Sequence, residues 1–120
     1  MIVVYIAGPF RGPTAWAVAE NVRAAERLGL QVARLGAMPL IPHANTMHFD
    51  GECSDQFWID GTAELLQRCD ALLTLPTWKA STGARGEVAL AHELRVPVFH
   101  GIDEITQAVE AGWINMRRPT

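Results

Sequence analysis

Residues 2–7 read Ile-Val-Val-Tyr-Ile-Ala, and Gly8-Pro9 follows them directly. A continuous run of β-branched and other apolar side chains, without polar alternation, is typical of a parallel strand that is buried on both faces. Glycine and proline are poorly suited to the interior of a strand, so the chain is expected to leave the sheet at Gly8. The sequence therefore predicts a buried first strand with a loop at its carboxyl end.

The segments after this strand alternate between helical and strand-like patterns. Residues 14–35 carry apolar or small side chains at helical spacing, with Thr14 as the predicted N-cap and Gly36 as the predicted stop. Residues 43–54 have no periodicity and are expected to form a long loop. The other predicted elements are strands over 38–41, 71–75 and 96–100 and helices over 55–69, 84–95 and 103–111, with Phe57, Leu65, Leu66 and Cys69 facing the core.

This order of elements predicts an α/β fold with parallel strands and right-handed crossovers. We expect a single domain over residues 1–120, with a Rossmann-like or flavodoxin-like parallel sheet of four to five strands flanked by helices. In the strand order 2-1-3-4, the first and third strands are neighbours. Ligands bind such sheets at the carboxyl ends of the strands. The exits after these two strands, residues 8–13 and 76–83, should therefore face one crevice.

The composition argues against several classes of protein. The chain has 49% hydrophobic and 19% charged residues, which is not the composition of a disordered chain. A net charge of −3 argues against a nucleic-acid partner held by a basic face, although a single phosphate could still bind. The sequence has no apolar run of membrane-spanning length, and its start lacks a basic leader. We therefore expect neither a membrane nor a nucleic-acid partner.

Cys53 and Cys69 are the two cysteines, and they fit neither a disulfide framework nor a four-ligand zinc site. A reducing cytoplasm is the compartment that this favours. His43, His48 and Asp50 lie near Cys53, but their spacing matches no standard zinc pattern. We expect these side chains to line a pocket, and we expect no metal and no cofactor.

The first strand exit, Gly8-Pro9-Phe10-Arg11-Gly12-Pro13, is not a P-loop, because it lacks the Gly-Lys-Ser/Thr ending. Gly8 and Gly12 could let backbone N–H groups approach a ligand. Arg11 offers a forked cation for an oxyanion. The alternative is a tight turn with a solvated arginine.

The second exit places Ser81 and Gly83 just before a predicted helix, where free N–H groups and the helix dipole can bind an anion. Glu87 is expected in the first turn, where the dipole favours an ionised carboxylate that could act as nucleophile or base. The alternative is an acid that only stabilises the helix. Trp78 lies in the same loop and could stack on a base or sugar, although tryptophans more often pack in cores.

Asp60 is a candidate second carboxylate, and it shares a helix face with Glu64. Glycosyl transfer uses a pair of carboxylates, one that attacks the anomeric carbon and one that manages the leaving-group proton. Asp60 beside Glu87 would form such a pair. The alternative is an exposed acidic helix face.

The stretch from Tyr5 to Gly12 resembles the opening strand and loop of the 2′-deoxynucleoside 5′-phosphate N-hydrolases, and Ser81-x-Gly83-x-x-x-Glu87 is similar to a second segment of theirs. These enzymes belong to the nucleoside 2-deoxyribosyltransferase-like superfamily. A small bacterial and phage branch of that superfamily carries four motifs that this chain shares in order. They are Y-I-A-G-P at 5–9, P-H at 42–43, C-D-A at 69–71 and W-x-x-S-x-G-A-x-x-E at 78–87.

The resemblance implies an enzyme that hydrolyses the N-glycosidic bond of a nucleoside 5′-monophosphate and releases the base and (deoxy)ribose 5-phosphate. Glu87 matches the family nucleophile that attacks C1′, and Tyr5 matches a tyrosine that orients the nucleophile or the sugar. Such proteins are usually dimers in which the neighbouring subunit can complete the site, so a homodimer or higher homo-oligomer is implied. The implied substrate-binding residues are Gly8, Phe10, Arg11, Gly12, His43, Trp78, Ser81 and Gly83.

One departure concerns the proton donor. The N-hydrolases have an aspartate in the helix before the third strand, and the matching position here is Thr62, whereas Asp60 lies about 200° away around a helix. Arg85 also replaces a small residue. Three functions therefore stay open: a nucleotide N-hydrolase, a base-exchanging deoxyribosyltransferase, and a non-catalytic nucleotide-binding module or sensor.

Overall fold

The structure is a computed structural model, and it describes residues 1–113. Residues 114–120 of the predicted domain lie outside the described residues. Among residues 1–113, no helix is both long enough and apolar enough to cross a bilayer. The elements are β1 (Val3–Ala7), α1 (Ala15–Arg34), β2 (Met38–Leu40), α2 (Pro42–Asn45), α3 (Asp55–Gln67), β3 (Ala71–Thr74), a 3₁₀ turn (Trp78–Ala80), α4 (Thr82–Glu93), β4 (Val98–His100) and α5 (Ile102–Glu110).

The four strands form one parallel sheet in the order β2-β1-β3-β4, as the sequence predicts. Tyr5 on β1 is in register with Leu40 on β2 and with Leu72 on β3. Leu72 is in register with Val98 on β4. The α/β class, the parallel sheet and the strand order are confirmed. Because β1 and β3 are neighbours, the loops that follow them leave the same edge of the sheet side by side.

Alternate residues of β1 face two separate cores. Val4 and Ile6 pack into a cluster with α1 and α5 residues, among them Ala25 and Ile105. Tyr5 and Ala7 pack into the cluster on the opposite face, together with Leu66, Cys69, Leu72, Val88 and Ala91. Since side chains of a strand alternate between faces, this confirms that the first strand is buried on both faces. It also places the Tyr5 ring on the side of the sheet that α3 and α4 cover.

The predicted limits of the long helix are confirmed. Thr14 Oγ1 accepts a hydrogen bond of 3.1 Å from the Ala17 N–H, which caps the start of α1. The helix ends with Leu35 as C-cap, and Gly36 follows with φ of +95°, a left-handed conformation that glycine adopts without strain.

Three expectations about local structure are wrong. The expected long loop over 43–54 begins as a short helix, because α2 includes Pro42–Asn45. α4 begins at Thr82 and not at about Ala84, because Ser81 already caps it. Phe57 is 55% exposed, because in the first turn of α3 its ring packs edge-on against Trp58 and not into the core.

Candidate functional site

Tyr5 and Glu87 form a polar pair between the sheet and α4. Tyr5 lies on β1 and its side chain is fully buried, while Glu87 lies in the second turn of α4 and is largely buried. The Tyr5 hydroxyl donates a hydrogen bond to Glu87 Oε2. The sequence placed both residues among the candidates for catalysis, and the fold brings their side chains into direct contact.

The electrostatics of the pair are controlled by burial. Burial raises the pKa of Glu87 to about 7, and the hydrogen bond from Tyr5 opposes this rise. The pKa of Tyr5 is also raised, first by burial and then by the charge of Glu87, so the phenol keeps its proton and acts as a donor. A carboxyl group that titrates near neutral pH can serve as a nucleophile or as a general acid or base.

The predicted reason for the reactivity of Glu87 is wrong. Because α4 begins at Thr82, its first turn contains no acidic residue, and Glu87 follows one turn later. The effect of the helix dipole is concentrated in the first turn. Loss of water around the carboxylate therefore dominates, and its effect on the pKa has the opposite sign to the expected dipole effect.

The start of α4 is open toward solvent. Ser81 Oγ accepts a 3.1 Å hydrogen bond from the Ala84 N–H, so this side chain caps the helix. A Cβ added to Gly83 would have only Ser81 Oγ within 4 Å, at 3.9 Å. The first N–H groups of a helix have no intrahelical acceptor. Ser81 and Gly83 thus leave space and donors at the helix start, as an anion site requires.

Arg85 is turned back onto the loop that precedes α4. Its Nη1 donates to the Lys79 carbonyl at 2.5 Å, and its Nη2 donates to Thr82 Oγ1 at 3.2 Å. This side chain therefore ties the 3₁₀ turn to the start of α4.

The glycines of the first strand exit are required by internal packing. A Cβ on Gly8 would lie 2.3 Å from Leu75 Cδ1, and a Cβ on Gly12 would lie 2.7 Å from the Ala17 Cβ. Any larger residue at these two positions would collide with the protein itself. Close packing of the loop therefore explains both glycines without a ligand.

His43 holds the same loop in place from α2. It is buried, and its Nε2 lies 2.9 Å from the Gly8 carbonyl and 3.0 Å from the Pro9 carbonyl. Burial lowers the pKa of His43, so the neutral ring donates Nε2–H to these carbonyls. Within residues 1–113, the buried Nδ1 has no hydrogen-bond partner. The Phe10 ring packs edge-on against the His43 ring, with 5.9 Å between centroids.

Arg11 lies at the outer side of the loop. Its guanidinium pairs with Asp55 at the start of α3, with 3.5 Å between Nη2 and Oδ1. Both side chains are about three-quarters exposed, and such surface ion pairs contribute little to stability. Asn21 Nδ2 donates to the Phe10 and Arg11 carbonyls at 3.1 and 3.3 Å. The loop is thus tied to both α1 and α3.

Asp60 is not brought to Glu87. It is exposed on α3, and its Oδ1 accepts a 2.8 Å hydrogen bond from Gln56 Nε2. Glu64 is also exposed and accepts from Arg68 Nε at 3.1 Å. The structure therefore does not form the expected pair of carboxylates. Thr62, two residues and about 200° further around the helix, is the polar side chain of α3 that lies close to Tyr5, and its hydroxyl donates a 3.0 Å hydrogen bond to the Ile59 carbonyl.

A cavity of about 170 Å³ lies between α2 and α3. Tyr5 and Glu87 do not line this cavity, but Thr62 does, and Thr62 also lies close to Tyr5, so it links the cavity to the Tyr5–Glu87 pair. Trp58 Nε1 is buried without a hydrogen-bond partner among the described residues. The cavity is lined by Pro42, Asn45, Thr46, Phe57, Trp58, Gly61, Thr62 and Leu65.

Sequence reasoning assigned no role in the site to Trp58 and treated Thr62 only as a departure from the family pattern. The available signal was their spacing of four residues, which places them on one face of a helix. A cavity of about 150 Å³ can hold a benzene ring, so this one is large enough for a single aromatic ring.

A family model described as a domain of unknown function, DUF4406, matches residues 2–100. This chain belongs to the DUF4406 family. The matched residues include Tyr5, Thr62 and Glu87, so the whole site described above lies within the DUF4406 domain.

The DUF4406 fold is similar to a solved structure, the crystal structure of a conserved protein from Enterococcus faecalis V583. The TM-score is 0.68 at 19% sequence identity, and the match covers 92% of this chain and 75% of that chain. At this identity, the likeness shows the fold. None of the curated proteins matches this sequence.

Trp78 lies beside the start of α4 in the DUF4406 domain. Its ring stacks on the His100 ring, with 5.0 Å between centroids and 16° between planes. His100 Nδ1 lies 2.9 Å from Thr74 Oγ1, at the carboxyl ends of β4 and β3. One face of Trp78 is therefore covered by the protein itself. Over residues 1–113, no group of three or more His, Cys, Asp or Glu side chains is arranged to hold a metal ion.

Proposed function

We propose that this protein hydrolyses the N-glycosidic bond of a nucleoside 5′-monophosphate, with Glu87 as the nucleophile. The products are a free base and (deoxy)ribose 5-phosphate. The observation that carries the proposal is the buried Tyr5–Glu87 pair, whose carboxyl group has its pKa raised to about 7. Two further observations support it: Glu87 follows a helix start suited to phosphate, and Thr62 links the pair to a cavity large enough for an aromatic ring.

The proposed reaction has two steps. The Glu87 carboxylate attacks C1′ of the sugar, and the bond from C1′ to the base nitrogen breaks with its electron pair going to the base. Water then attacks C1′ of the glycosyl ester and the carboxylate of Glu87 is released; the proton that this water loses balances the one that a neutral base takes up from solvent as it leaves. The Tyr5 hydroxyl keeps its proton throughout and holds the carboxylate in one orientation.

The geometry of α4 supports the placement of the substrate. Gly83 and Glu87 are four residues apart, which corresponds to about 6 Å along a helix. A phosphate at the helix start near Ser81 and Gly83 would therefore lie about one turn from the nucleophile. The base would extend toward the cavity beside Thr62.

A cytoplasmic location and a homodimer are part of this proposal. Both Cys53 and Cys69 are free thiols, which suits a reducing compartment. Large apolar side chains on the surface suit contact with a second copy of the chain. Those with more than half of their area exposed include Trp16, Phe57 and Ile59.

A second candidate is a nucleotide-binding module without catalytic activity. The solvent-exposed position of Asp60 favours it, because the Tyr5–Glu87 pair then lacks a partner carboxylate for the leaving base. A base-exchanging transferase would use the same Glu87 ester, with an added base in place of water.

The test is chromatography of a panel of ribo- and deoxyribonucleoside 5′-monophosphates after incubation with the protein. We expect the wild type to release a base, and Glu87→Gln to lose at least about 10³-fold in rate because it removes the nucleophile. Glu64→Gln is the matched control, since Glu64 is an exposed glutamate outside the site. It should keep the wild-type rate.

Three outcomes would overturn the hydrolase assignment. Equal behaviour of wild type and Glu87→Gln on every nucleotide removes the role of the glutamate. A rise in melting temperature with nucleotide, without base release over hours, identifies the binding module. Faster capture of the sugar by an added base than by water identifies the transferase.

A further inference from the structure

We infer that the site is suited to a nucleotide whose base carries a formal positive charge at the glycosidic nitrogen, with a pyridinium carrying a carbonyl substituent as the best fit. This inference rests on the proposed function and names its class of substrate. It comes from a contrast within the site: Glu87 is placed as a nucleophile, but no acid is placed to protonate the leaving base.

The charge of the base decides whether an acid is needed. When C1′ separates from a neutral base, the electron pair leaves negative charge on that base, and a positioned acid must supply a proton within hydrogen-bonding reach. When the glycosidic nitrogen is already cationic, the same electron pair neutralises it. The base then leaves as a neutral molecule and takes no proton.

The cavity next to the Tyr5–Glu87 pair offers no such acid. All the side chains that line it are uncharged. The three carboxylates of α3 are exposed and engage other groups: Asp55 pairs with Arg11, Asp60 accepts from Gln56, and Glu64 accepts from Arg68. Thr62, whose hydroxyl does not ionise in the ordinary pH range, occupies the position between the cavity and Tyr5.

Two further groups could in principle supply a proton, but both are committed. The Tyr5 proton is donated to Glu87, so its transfer to the base would break the bond that holds the nucleophile. His43 directs its Nε2–H at the Gly8 and Pro9 carbonyls, which occupy this proton. Glu87 itself must be ionised to attack. Within residues 1–113, the site therefore has a nucleophile without a separate acid.

The walls of the cavity suit a cationic aromatic ring. The Trp58 ring lies 5.0 Å from the Phe57 ring and 6.0 Å from the Phe49 ring, measured between centroids. The faces of such rings attract cations. The volume of about 170 Å³ fits one six-membered ring better than a fused bicyclic base.

Trp58 also explains the carbonyl substituent. Its Nε1–H is buried and has no acceptor among the described residues, and an unpaired buried donor costs about 1–3 kcal/mol. Nε1 is not itself accessible from the cavity, so a carbonyl oxygen on the ring of the ligand would accept this hydrogen bond after a small rotation of the Trp58 ring. Asn45 and Thr46 line the same cavity and offer further polar partners for a carboxamide.

The steps balance without an added reagent. A Glu87 carboxylate oxygen bonds to C1′ while the bond from C1′ to the cationic nitrogen breaks, and the electron pair neutralises the ring. Water then bonds to C1′, the ester bond to Glu87 breaks, and one proton passes to solvent. The net reaction consumes one water molecule and releases one proton.

The experiment compares nicotinamide mononucleotide with adenosine and cytidine 5′-monophosphates and their deoxy forms. We expect kcat/KM for the pyridinium nucleotide to exceed the others by at least about 100-fold, since a general acid typically contributes 10²–10⁴-fold. Glu87→Gln should abolish the catalysed release from every substrate. Any release that remains with this variant measures the uncatalysed reaction and is subtracted. Proton release followed with a pH indicator gives a second measure of turnover.

A pyridinium is also the intrinsically better leaving group, so a variant must test whether the missing acid is the cause. Thr62→Asp places a carboxyl group beside Tyr5 and the cavity. It should raise kcat/KM for the neutral-base nucleotides at least about tenfold and leave the pyridinium nucleotide without a gain. Thr62→Asn has a similar size without a titratable proton, and it should give no gain for either class.

The outcomes separate this inference from the proposed function. Release of neutral bases that depends on Glu87 and is as fast as release from the pyridinium overturns the inference and leaves the hydrolase. If none of the nucleotides releases its base in a reaction that depends on Glu87, both the inference and the proposed function are overturned. If Thr62→Asp does not fold, as its melting curve would show, Thr62→Glu takes its place with Thr62→Gln as its control, and the same changes in kcat/KM are expected.

Discussion

Helices α3 and α4 start in closely similar ways, but Asp60 of α3 is exposed and Glu87 of α4 is largely buried. Ser54 caps α3 by accepting from the Phe57 N–H at 3.2 Å, and Ser81 caps α4 by accepting from the Ala84 N–H at 3.1 Å. An acid follows each cap six residues later, Asp60 in α3 and Glu87 in α4. Local position along the helix is therefore the same for both.

The surroundings of the two acids differ completely. Asp60 is exposed and accepts a hydrogen bond from its neighbour Gln56. Glu87 is covered by the sheet, accepts from the Tyr5 hydroxyl, and has its pKa raised to about 7 by burial. The comparison teaches that the face of the helix turned toward β1, and not the distance from the cap, makes one of these acids chemically unusual.

The largest expected effect is on stability, and it is seen by comparing Glu87→Gln with Asp60→Asn, two variants that each replace an acid with its uncharged amide. The native state keeps a proton on Glu87 up to a pKa of about 7, whereas the ordinary pKa of a glutamate is 4.5. Between these pH values unfolding releases a proton, so the stability of the wild type falls as pH rises. Glu87→Gln has no such loss, and its advantage over wild type should grow by up to about 3 kcal/mol from pH 4.5 to 8.

Urea denaturation at several pH values measures this change. Asp60→Asn is the matched control, because it removes an exposed carboxylate that accepts a hydrogen bond from its helix neighbour Gln56, and the effect specific to Glu87 is the difference between the two pH profiles of stability. A parallel pH dependence of the two variants would show that the α3 and α4 acids have equivalent surroundings.

The pH profile of catalysis provides the next test. Only the carboxylate of Glu87 can attack, so kcat/KM should rise about tenfold per pH unit below the pKa of about 7 and level off above it. Tyr5→Phe removes a hydrogen bond that holds this pKa down, so the midpoint of the profile should move to higher pH. A midpoint near 4.5 in the wild type would mean that Glu87 is as well solvated as Asp60.

The two capping serines provide the smallest effect. Ser54→Ala and Ser81→Ala should each lower the free energy of unfolding by about 1 kcal/mol, because each removes one capping hydrogen bond. Only Ser81→Ala should also raise KM for the nucleotide, since only the start of α4 is proposed to bind phosphate. Urea denaturation and steady-state kinetics measure the two effects, and an equal rise in KM for both variants would contradict the proposed phosphate site.

Much of the fold follows from local patterns. The run over residues 2–7 and the cap at Thr14 depend on side-chain periodicity and on hydrogen bonds between near neighbours, and both are found as predicted. The strand order follows from general rules for parallel sheets. The start of α4 was placed two residues late, because a serine before glycines reads equally well as loop or as cap.

The sequence predicts individual residues of the candidate site better than it predicts how those residues pack together. Tyr5 and Glu87 were both identified from the sequence, and so was the risk that Asp60 lies on the wrong side of its helix. The cavity beside Trp58 and the buried contacts of His43 were not foreseen. They depend on how α2 packs against α3 and the β1 exit, and no local pattern encodes that packing.

The amino-acid sequence by itself determined the order of strands and helices and the two loops at one sheet edge, because these depend on periodicity and on residue type. It pointed to Glu87 through the helix start that precedes it, and to Tyr5 through the family resemblance alone. Only the tertiary structure decided which acid is buried, which direction its pKa moves, and that a threonine lies where a proton donor would be needed. The physical reason is that desolvation arises from residues distant in sequence, and a shift of about half a helical turn moves a side chain from water into the core.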